Sequence, residues 1–143
     1  MADPIGDLIG RVTDYAKRVV SATARIVRGD IVKAYVEAIE MFYGDYTPSV
    51  YQRHWQLRNT YQPLYKNAHG LIAYAGITIT AAGMGSVYHD PPATVLNMSL
   101  QGMHGYSGPI TAAPAEHLLM QIDMIVAYAQ SYVDQGAAAA GGI

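Results

Sequence analysis

Residues 3–28 read DPIGDLIGRVTDYAKRVVSATARIVR, with apolar side chains at helical spacing. Asp3 can accept hydrogen bonds from the free amides of a first turn, Pro4 suits the first helical position, and Asp7 suits the positive end of the helix dipole. The apolar positions follow the i, i+3, i+4, i+7 pattern, and they are Ile5, Leu8, Ile9, Val12, Ala16, Val19, Val20, Thr23, Ile26 and Val27. We therefore predict an N-terminal amphipathic helix.

A second apolar pattern follows Gly29 and Asp30, which we expect to interrupt the first helix. Asp30 can cap a new helix, and Gly44 is expected to end it. The apolar face of this second helix consists of Ile31, Tyr35, Ala38, Ile39 and Phe42. Beyond it, Pro48 is compatible with a short helix or with an extended arm through Leu57, and the pattern does not separate the two.

The second half of the chain combines strand and helix signals. Residues 71–80 (LIAYAGITIT) alternate and are rich in β-formers, which predicts a strand with a bulge at Gly76. Residues 93–102 suit a helix and a strand equally well, and Pro114 opens a long helix that we expect to end at Gly136.

These elements predict an α+β fold with an N-terminal amphipathic helix, a second helix, a small antiparallel strand layer and a long C-terminal helix. We expect residues 1–135 to form a single domain. Residues 136–143 (GAAAAGGI) contain nothing large to pack before the last residue, and we interpret them as a flexible tail.

Composition narrows the classes of function. The chain has 143 residues, of which 51% are hydrophobic and 14% are charged, and its formal net charge is -2. This composition supports one folded core and argues against a protein that coats nucleic acid generally. The absence of cysteine excludes disulfides, thiolate metal sites and a cysteine nucleophile. No apolar run reaches the ~18 to 20 residues of a membrane span, and the N-terminus lacks the regions of a secretory signal, so we expect no membrane partner.

Charge is distributed unevenly along the chain. Residues 1–66 carry all 9 basic side chains, whereas residues 67–143 carry no basic side chain and only the acidic Asp90, Glu116, Asp123 and Asp134. This number of charges is small for an exposed surface, and it indicates that much of the surface of residues 67–143 is covered by other chains. The residues that we expect to face DNA, if any do, are Arg11, Lys17, Arg18 and Arg25.

Candidate chemistry is sparse. The best candidates for a metal-binding or acid-base site are His89, His104 and His117, but their spacing matches no zinc-binding motif. The glycine-rich segments 83–85 and 102–108 lack the lysine of a phosphate-binding loop. We therefore predict no catalytic residues, no metal and no cofactor, and a protein that is not an enzyme.

Aromatic residues are unusually dense between positions 35 and 65, with basic residues interspersed, and they are Tyr35, Phe42, Tyr43, Tyr46, Tyr51, Trp55, Tyr61 and Tyr65. Tyr, Trp and Arg dominate the energetics of protein interfaces, and tyrosine rings also serve in cores. The same mixture can stack single-stranded nucleic acid. We favour interface and core, because the net charge is nearly neutral.

One motif is distinctive: residues 42–53 read FYGDYTPSVYQR and are followed by Leu57-Arg58-Asn59-Thr60. This motif resembles the small minor structural proteins of tailed bacteriophages, the neck and tail-completion proteins that join head to tail. Residues 97–106 (NMSLQGMHGY) with Pro114 also fit, so the resemblance extends over roughly residues 30 to 133.

The resemblance implies a non-enzymatic subunit of an oligomeric ring at the head-tail connection, made in the host cytoplasm and located in the virion. Its implied partners are further copies of itself, connector and tail proteins, and packaged DNA through nonspecific contact. The residues that we expect to form or support the interface are Tyr43, Tyr46, Pro48, Tyr51, Arg53, Trp55, Leu57 and Arg58. The alternatives are a capsid-associated minor or decoration protein and a module that binds single-stranded nucleic acid or a small ligand.

Overall fold

One helix dominates the fold. In the computed structural model, which describes residues 2–45, 56–67, 70–82, 84, 91–104 and 109–143, helix α1 covers Pro4–Gly44. Its 41 residues correspond to a length of about 60 Å. The predicted start is confirmed, because the Asp3 carboxylate accepts a hydrogen bond from the Ile5 amide at 3.2 Å. The predicted end at Gly44 is confirmed as well.

The predicted break at Gly29 and Asp30 is wrong, since α1 continues through both residues. A helical glycine costs only about 1 kcal/mol relative to alanine. Burial on both sides of the glycine outweighs this cost, because Ala24 and Ile31 are both buried. Asp30 does not cap a new helix, and its carboxylate instead accepts a hydrogen bond from the Tyr132 hydroxyl.

A β-hairpin follows α1. A 3-10 helix, Gln56–Asn59, leads into strand β1 (Tyr61–Asn67), which pairs antiparallel with strand β2 (Ala73–Ile79). The predicted strand is confirmed with slightly narrower bounds. Pairing proceeds without a break from Tyr61 opposite Ile79 to Asn67 opposite Ala73. The bulge predicted at Gly76 is therefore absent from the ladder.

Three helices complete the described chain: α2 (Pro92–Leu100), α3 (Pro114–Ala127) and α4 (Ala129–Ala140). The segment that suited helix and strand equally is thus a helix. The long closing helix is divided at Tyr128, whose ψ of 26° separates α3 from α4. The predicted end at Gly136 is wrong, because α4 extends to Ala140.

Helix α4 packs antiparallel along α1. Tyr132 contacts Asp30, Gly136 lies against Thr23, and the Arg18 guanidinium donates to the carbonyls of Ala140 and Gly142 at 2.7 and 2.9 Å. Gly136 is buried there because it has no side chain to separate the two helices. The division into a domain of residues 1–135 and a tail stays a prediction, although residues 136–140 are helical.

The core lies where the second half of α1 meets the hairpin and α2. Its buried residues are Tyr35, Ile39, Phe42, Tyr43, Leu57, Met84 and Leu96. The fully buried Tyr35 hydroxyl lies 3.1 Å from the Thr60 hydroxyl, which donates to the carbonyl of Leu57 at 2.7 Å. Tyr35 therefore donates to Thr60, and both buried hydroxyls are satisfied. The predicted α+β class is confirmed by this arrangement.

We expect Gly136→Ala to destabilise the fold although alanine is the better helix former. A Cβ at this position would lie 2.9 Å from the Thr23 amide nitrogen, so α4 would have to move away from α1. The expected loss is about 1 to 3 kcal/mol in the free energy of unfolding, measured by urea denaturation.

The matched control is Gly29→Ala, because a Cβ there meets nothing within 4 Å. This change should stabilise α1 by about 0.5 to 1 kcal/mol. Equal effects of the two substitutions would contradict the close approach of α4 to α1.

Candidate interaction surfaces

The sequence-predicted interface residues fall into two groups. Tyr43, Leu57 and Arg58 belong to the described structure. The other five lie outside the described residues, so that their role stays a prediction: Tyr46, Pro48, Tyr51, Arg53 and Trp55.

The three described members attach the 3-10 helix to the end of α1. The buried Tyr43 hydroxyl accepts a hydrogen bond from the Leu57 amide at 3.0 Å, and the Leu57 side chain is buried in the core. Arg58 makes a bidentate pair with Glu40, with both N···O distances at 2.8 Å, and its guanidinium lies 5.3 Å from the centre of the Tyr43 ring. Tyr43 and Leu57 therefore hold the segment in place, while Arg58 and Glu40 remain exposed at its surface.

The first turns of α1 form an exposed apolar surface. Residues 2–12 are all exposed, including Ile5, Leu8, Ile9 and Val12, which we call the tip stripe. The packed elements end further along the helix, because Arg18 reaches the end of α4 and Lys17 lies against Gly70 after the first strand. Thr23, which contacts α4, lies about three turns after Val12 and so on the same face. The tip stripe therefore continues the face of α1 that α4 covers.

A second apolar surface lies on α3. Leu119, Met120 and Val126 are 57% to 69% exposed, and together we call them the α3 face. The sequence predicts that the charge-poor second half is covered by other chains, and this exposed apolar surface belongs to that half. The apolar spacing of the helix does not tell which of its side chains pack inside and which stay exposed.

Basic side chains gather where α1 meets β1. The guanidinium carbons of Arg25 and Arg28 lie 5.6 and 5.7 Å from the centre of the Tyr65 ring. Neither arginine makes an ion pair with a described carboxylate. We call these three residues the arginine-tyrosine cluster.

The four predicted DNA-facing residues do not act together. Arg11, Lys17, Arg18 and Arg25 are all exposed, but Arg18 is bonded to backbone carbonyls near the end of α4. Arg25 belongs to the arginine-tyrosine cluster, in which sequence reasoning missed Arg28 and Tyr65. The linear sequence does not indicate that Arg28 lies near Tyr65, because the two residues belong to different elements and β1 was not predicted.

A polar groove of about 330 Å³ lies between the middle of α1 and the junction of α3 and α4. Asp30, Lys33 and Glu37 line one side, and Tyr128 and Tyr132 line the other. The hydrogen bond that Tyr132 donates to the Asp30 carboxylate raises the pKa of Tyr132 to about 12. At Tyr65 the pKa is lowered, chiefly by the hydrogen bond from Ser21.

The described residues contain no cluster of three or more side chains of the types that bind metals. His104 is buried, stacks on Phe42 with ring centres 4.1 Å apart, and lies 2.8 Å from the Thr111 hydroxyl. It therefore serves the packing of the core. His89 lies outside the described residues, and no helix among those described combines the length and apolar character needed to cross a membrane.

Comparison of the chain with protein-family models, with curated proteins and with solved structures gave no match. The resemblance to phage neck and tail-completion proteins accordingly stays a hypothesis. The surfaces described above are the observations on which a function can be argued.

We expect the Tyr132 to Asp30 hydrogen bond to stabilise the fold up to high pH. The pKa of Tyr132 is raised from the ordinary 10.0 to about 12, so its contribution is complete below pH 10 and is lost as the pH rises through 12. The difference in unfolding free energy between wild type and Tyr132→Phe should therefore be constant below pH 10 and shrink above it. A difference that grows with pH would contradict this assignment.

Proposed function

We propose that this chain is a non-enzymatic structural subunit of a bacteriophage virion, which forms an oligomeric ring at the connection between head and tail. The proposal combines the resemblance of residues 42–60 with the exposed apolar surfaces. Its mechanism is geometric, since the subunit acts by binding copies of itself and neighbouring virion proteins.

The tip stripe is the observation that carries the proposal. Isolated exposed apolar side chains are ordinary, but this stripe lies on one face of a projecting helix and continues a packing face. Ile5 and Ile9 are 71% and 61% exposed, so covering them removes much apolar surface from water. We infer that another subunit covers the stripe.

The α3 face supplies a second and different apolar surface. A closed ring needs a heterologous contact, in which one surface of a subunit binds another surface of its neighbour. We propose that the tip stripe of one subunit packs on the α3 face of the next. Glu116 and Asp123 lie three or four positions from Leu119 and Met120 and therefore border this face, whereas Asp134 is the one charged residue of α4.

DNA contact within the assembly would use the arginine-tyrosine cluster. The guanidiniums of Arg25 and Arg28 approach the same ring and are not neutralised by a described carboxylate. Phosphate contacts of this kind are nonspecific and depend on salt. The same cluster favours the second candidate function, a module that binds single-stranded nucleic acid.

We expect the double change Leu8→Gln with Ile9→Gln to prevent ring formation. Burial of both side chains across a contact contributes about 2 kcal/mol or more per interface, and the polar replacements remove that contribution. Native mass spectrometry and sedimentation velocity should show a closed oligomer for wild type and only smaller species for the variant.

The matched control is Asp7→Asn with Arg11→Gln, on the same exposed turns of α1 but outside the stripe. This control should still assemble. Wild-type protein that remains monomeric at about 100 μM would refute the ring proposal.

We expect the double change Arg25→Gln with Arg28→Gln to weaken DNA binding and to lower its salt dependence. Loss of two phosphate contacts reduces the slope of log K against log salt by about 2 for duplex DNA. Fluorescence anisotropy with oligonucleotides of unrelated sequence at several salt concentrations measures this slope. The control is Lys33→Gln, which removes a positive charge elsewhere on α1. Tighter binding to single-stranded than to duplex oligonucleotides would favour the second candidate function.

A further inference from the structure

The two edges of the hairpin differ in the hydrogen-bonding groups that they present. The Thr80 amide donates to the Thr60 carbonyl at 2.7 Å, and these residues are directly opposite in the register of the ladder. Directly opposite pairs of an antiparallel ladder alternate between bonded and non-bonded. Even-numbered residues of the two strands therefore bond each other, while odd-numbered residues direct their backbone N–H and C=O outward.

The outer edge of β1 is protected. Its outward-directed residues are Tyr61, Pro63, Tyr65 and Asn67, and proline has no N–H to donate. Proline at a free edge is one of the devices by which proteins prevent the pairing of a further strand.

The outer edge of β2 has no such protection. Its outward-directed residues are Ala73, Ala75, Ile77 and Ile79, and residues 71–82 contain neither proline nor a charged side chain. Within the described chain, the sheet has two strands, and no hydrogen bond reaches the outward groups of β2. A row of unpaired ladder groups is a template on which an extended strand can pair.

We propose that β2 binds an extended segment of another protein, which adds a third, antiparallel strand to the hairpin. The segment spans about seven residues, and its amides and carbonyls pair with those of the four outward residues. This strand addition is independent of the ring contact proposed above, since it uses neither the tip stripe nor the α3 face.

A gap beside Gly76 indicates the side chain that the segment presents. Gly76 lies between Tyr74 and Thr78 on the exposed face of the hairpin, and a Cβ built on it meets nothing within 4 Å. An aromatic residue directly opposite a strand glycine fills such a gap. The segment therefore carries an aromatic or long apolar residue opposite Gly76, flanked by small uncharged residues.

A second copy of β2 fits this edge less well than an extended segment. Helix α1 contacts β2 more extensively than it contacts β1. A two-fold pairing of two β2 strands would place both α1 helices on the same side of the sheet, next to the axis. The two α1 helices would then have to share the space beside the axis, since packed helices need interaxial distances of 8 to 10 Å.

The test uses the uncharged-centre peptide KTVTYTVTK as a probe and amide hydrogen exchange measured by NMR as the readout. In the free protein, the amides of Ala75 and Ile77 should exchange fast and those of Gly76 and Thr78 slowly. Peptide at about 2 mM should slow exchange at Ala75 and Ile77 at least 10-fold without altering Gly76 and Thr78. This alternation between neighbours reports strand addition rather than general stabilisation.

Two controls isolate the backbone pairing. The peptide KTVPYPVTK lacks the two central amides, which would donate to the carbonyls of Ala75 and Ile77, and should have no effect. The variant Ala75→Pro places proline on β2 as Pro63 is placed on β1, and it should bind the first peptide at least 10-fold more weakly. Unchanged exchange at Gly76 and Thr78 shows that the variant hairpin is folded.

Three outcomes would overturn the proposal. The first is a free monomer in which Ala75 and Ile77 already exchange slowly, because the edge would then be paired within the chain. The second is a wild-type dimer that protects these amides in the absence of peptide, which would assign the edge to a second copy. The third is exchange at Ala75 and Ile77 that the first peptide leaves unchanged.

Discussion

Burial of one face of α1 is the constraint on which the other elements depend. A two-stranded hairpin is at best marginally stable alone, and here it is held by side chains that pack on α1, such as Tyr61 against Tyr35 with ring centres 5.4 Å apart. Helix α4 has an alanine-rich sequence with little to bury, and it approaches α1 closely through Gly136. The hairpin and the C-terminal helices therefore share one support, and a change in the middle of α1 affects both.

The sequence predicted the elements whose signals are local. Asp3 and Gly44 mark the ends of α1 because capping and helix termination act within one turn. The helix break predicted at Gly29 was wrong because the helix-propensity cost of glycine is small compared with the stabilisation from burial of the neighbouring residues. Strand β1 was not predicted, and it contains Pro63, a residue that sheets admit mainly at edges and bulges. The register shows that this proline lies where no ladder hydrogen bond is needed.

Surfaces were harder to predict than elements. The apolar pattern of α1 says that one face is to be covered, but the pattern is the same whether the cover is α4 or another molecule. In the same way, Tyr43 and Leu57 belong to an aromatic-rich motif that indicated an interface, and both side chains are buried in the core. Contacts between residues on different elements, such as Arg28 and Tyr65, cannot be predicted from the spacing of residues along the sequence.

Pro63 has a further consequence for the way in which this sheet can grow. A hairpin with two open edges can extend in both directions, and repeated extension leads to fibres. Because one edge lacks a donor near its centre, Pro63 disfavours extension of this hairpin through β1, and the strand addition proposed above is confined to β2. A complex formed in this way is expected to hold one guest strand per subunit, and a single pyrrolidine ring then opposes open-ended growth of the sheet.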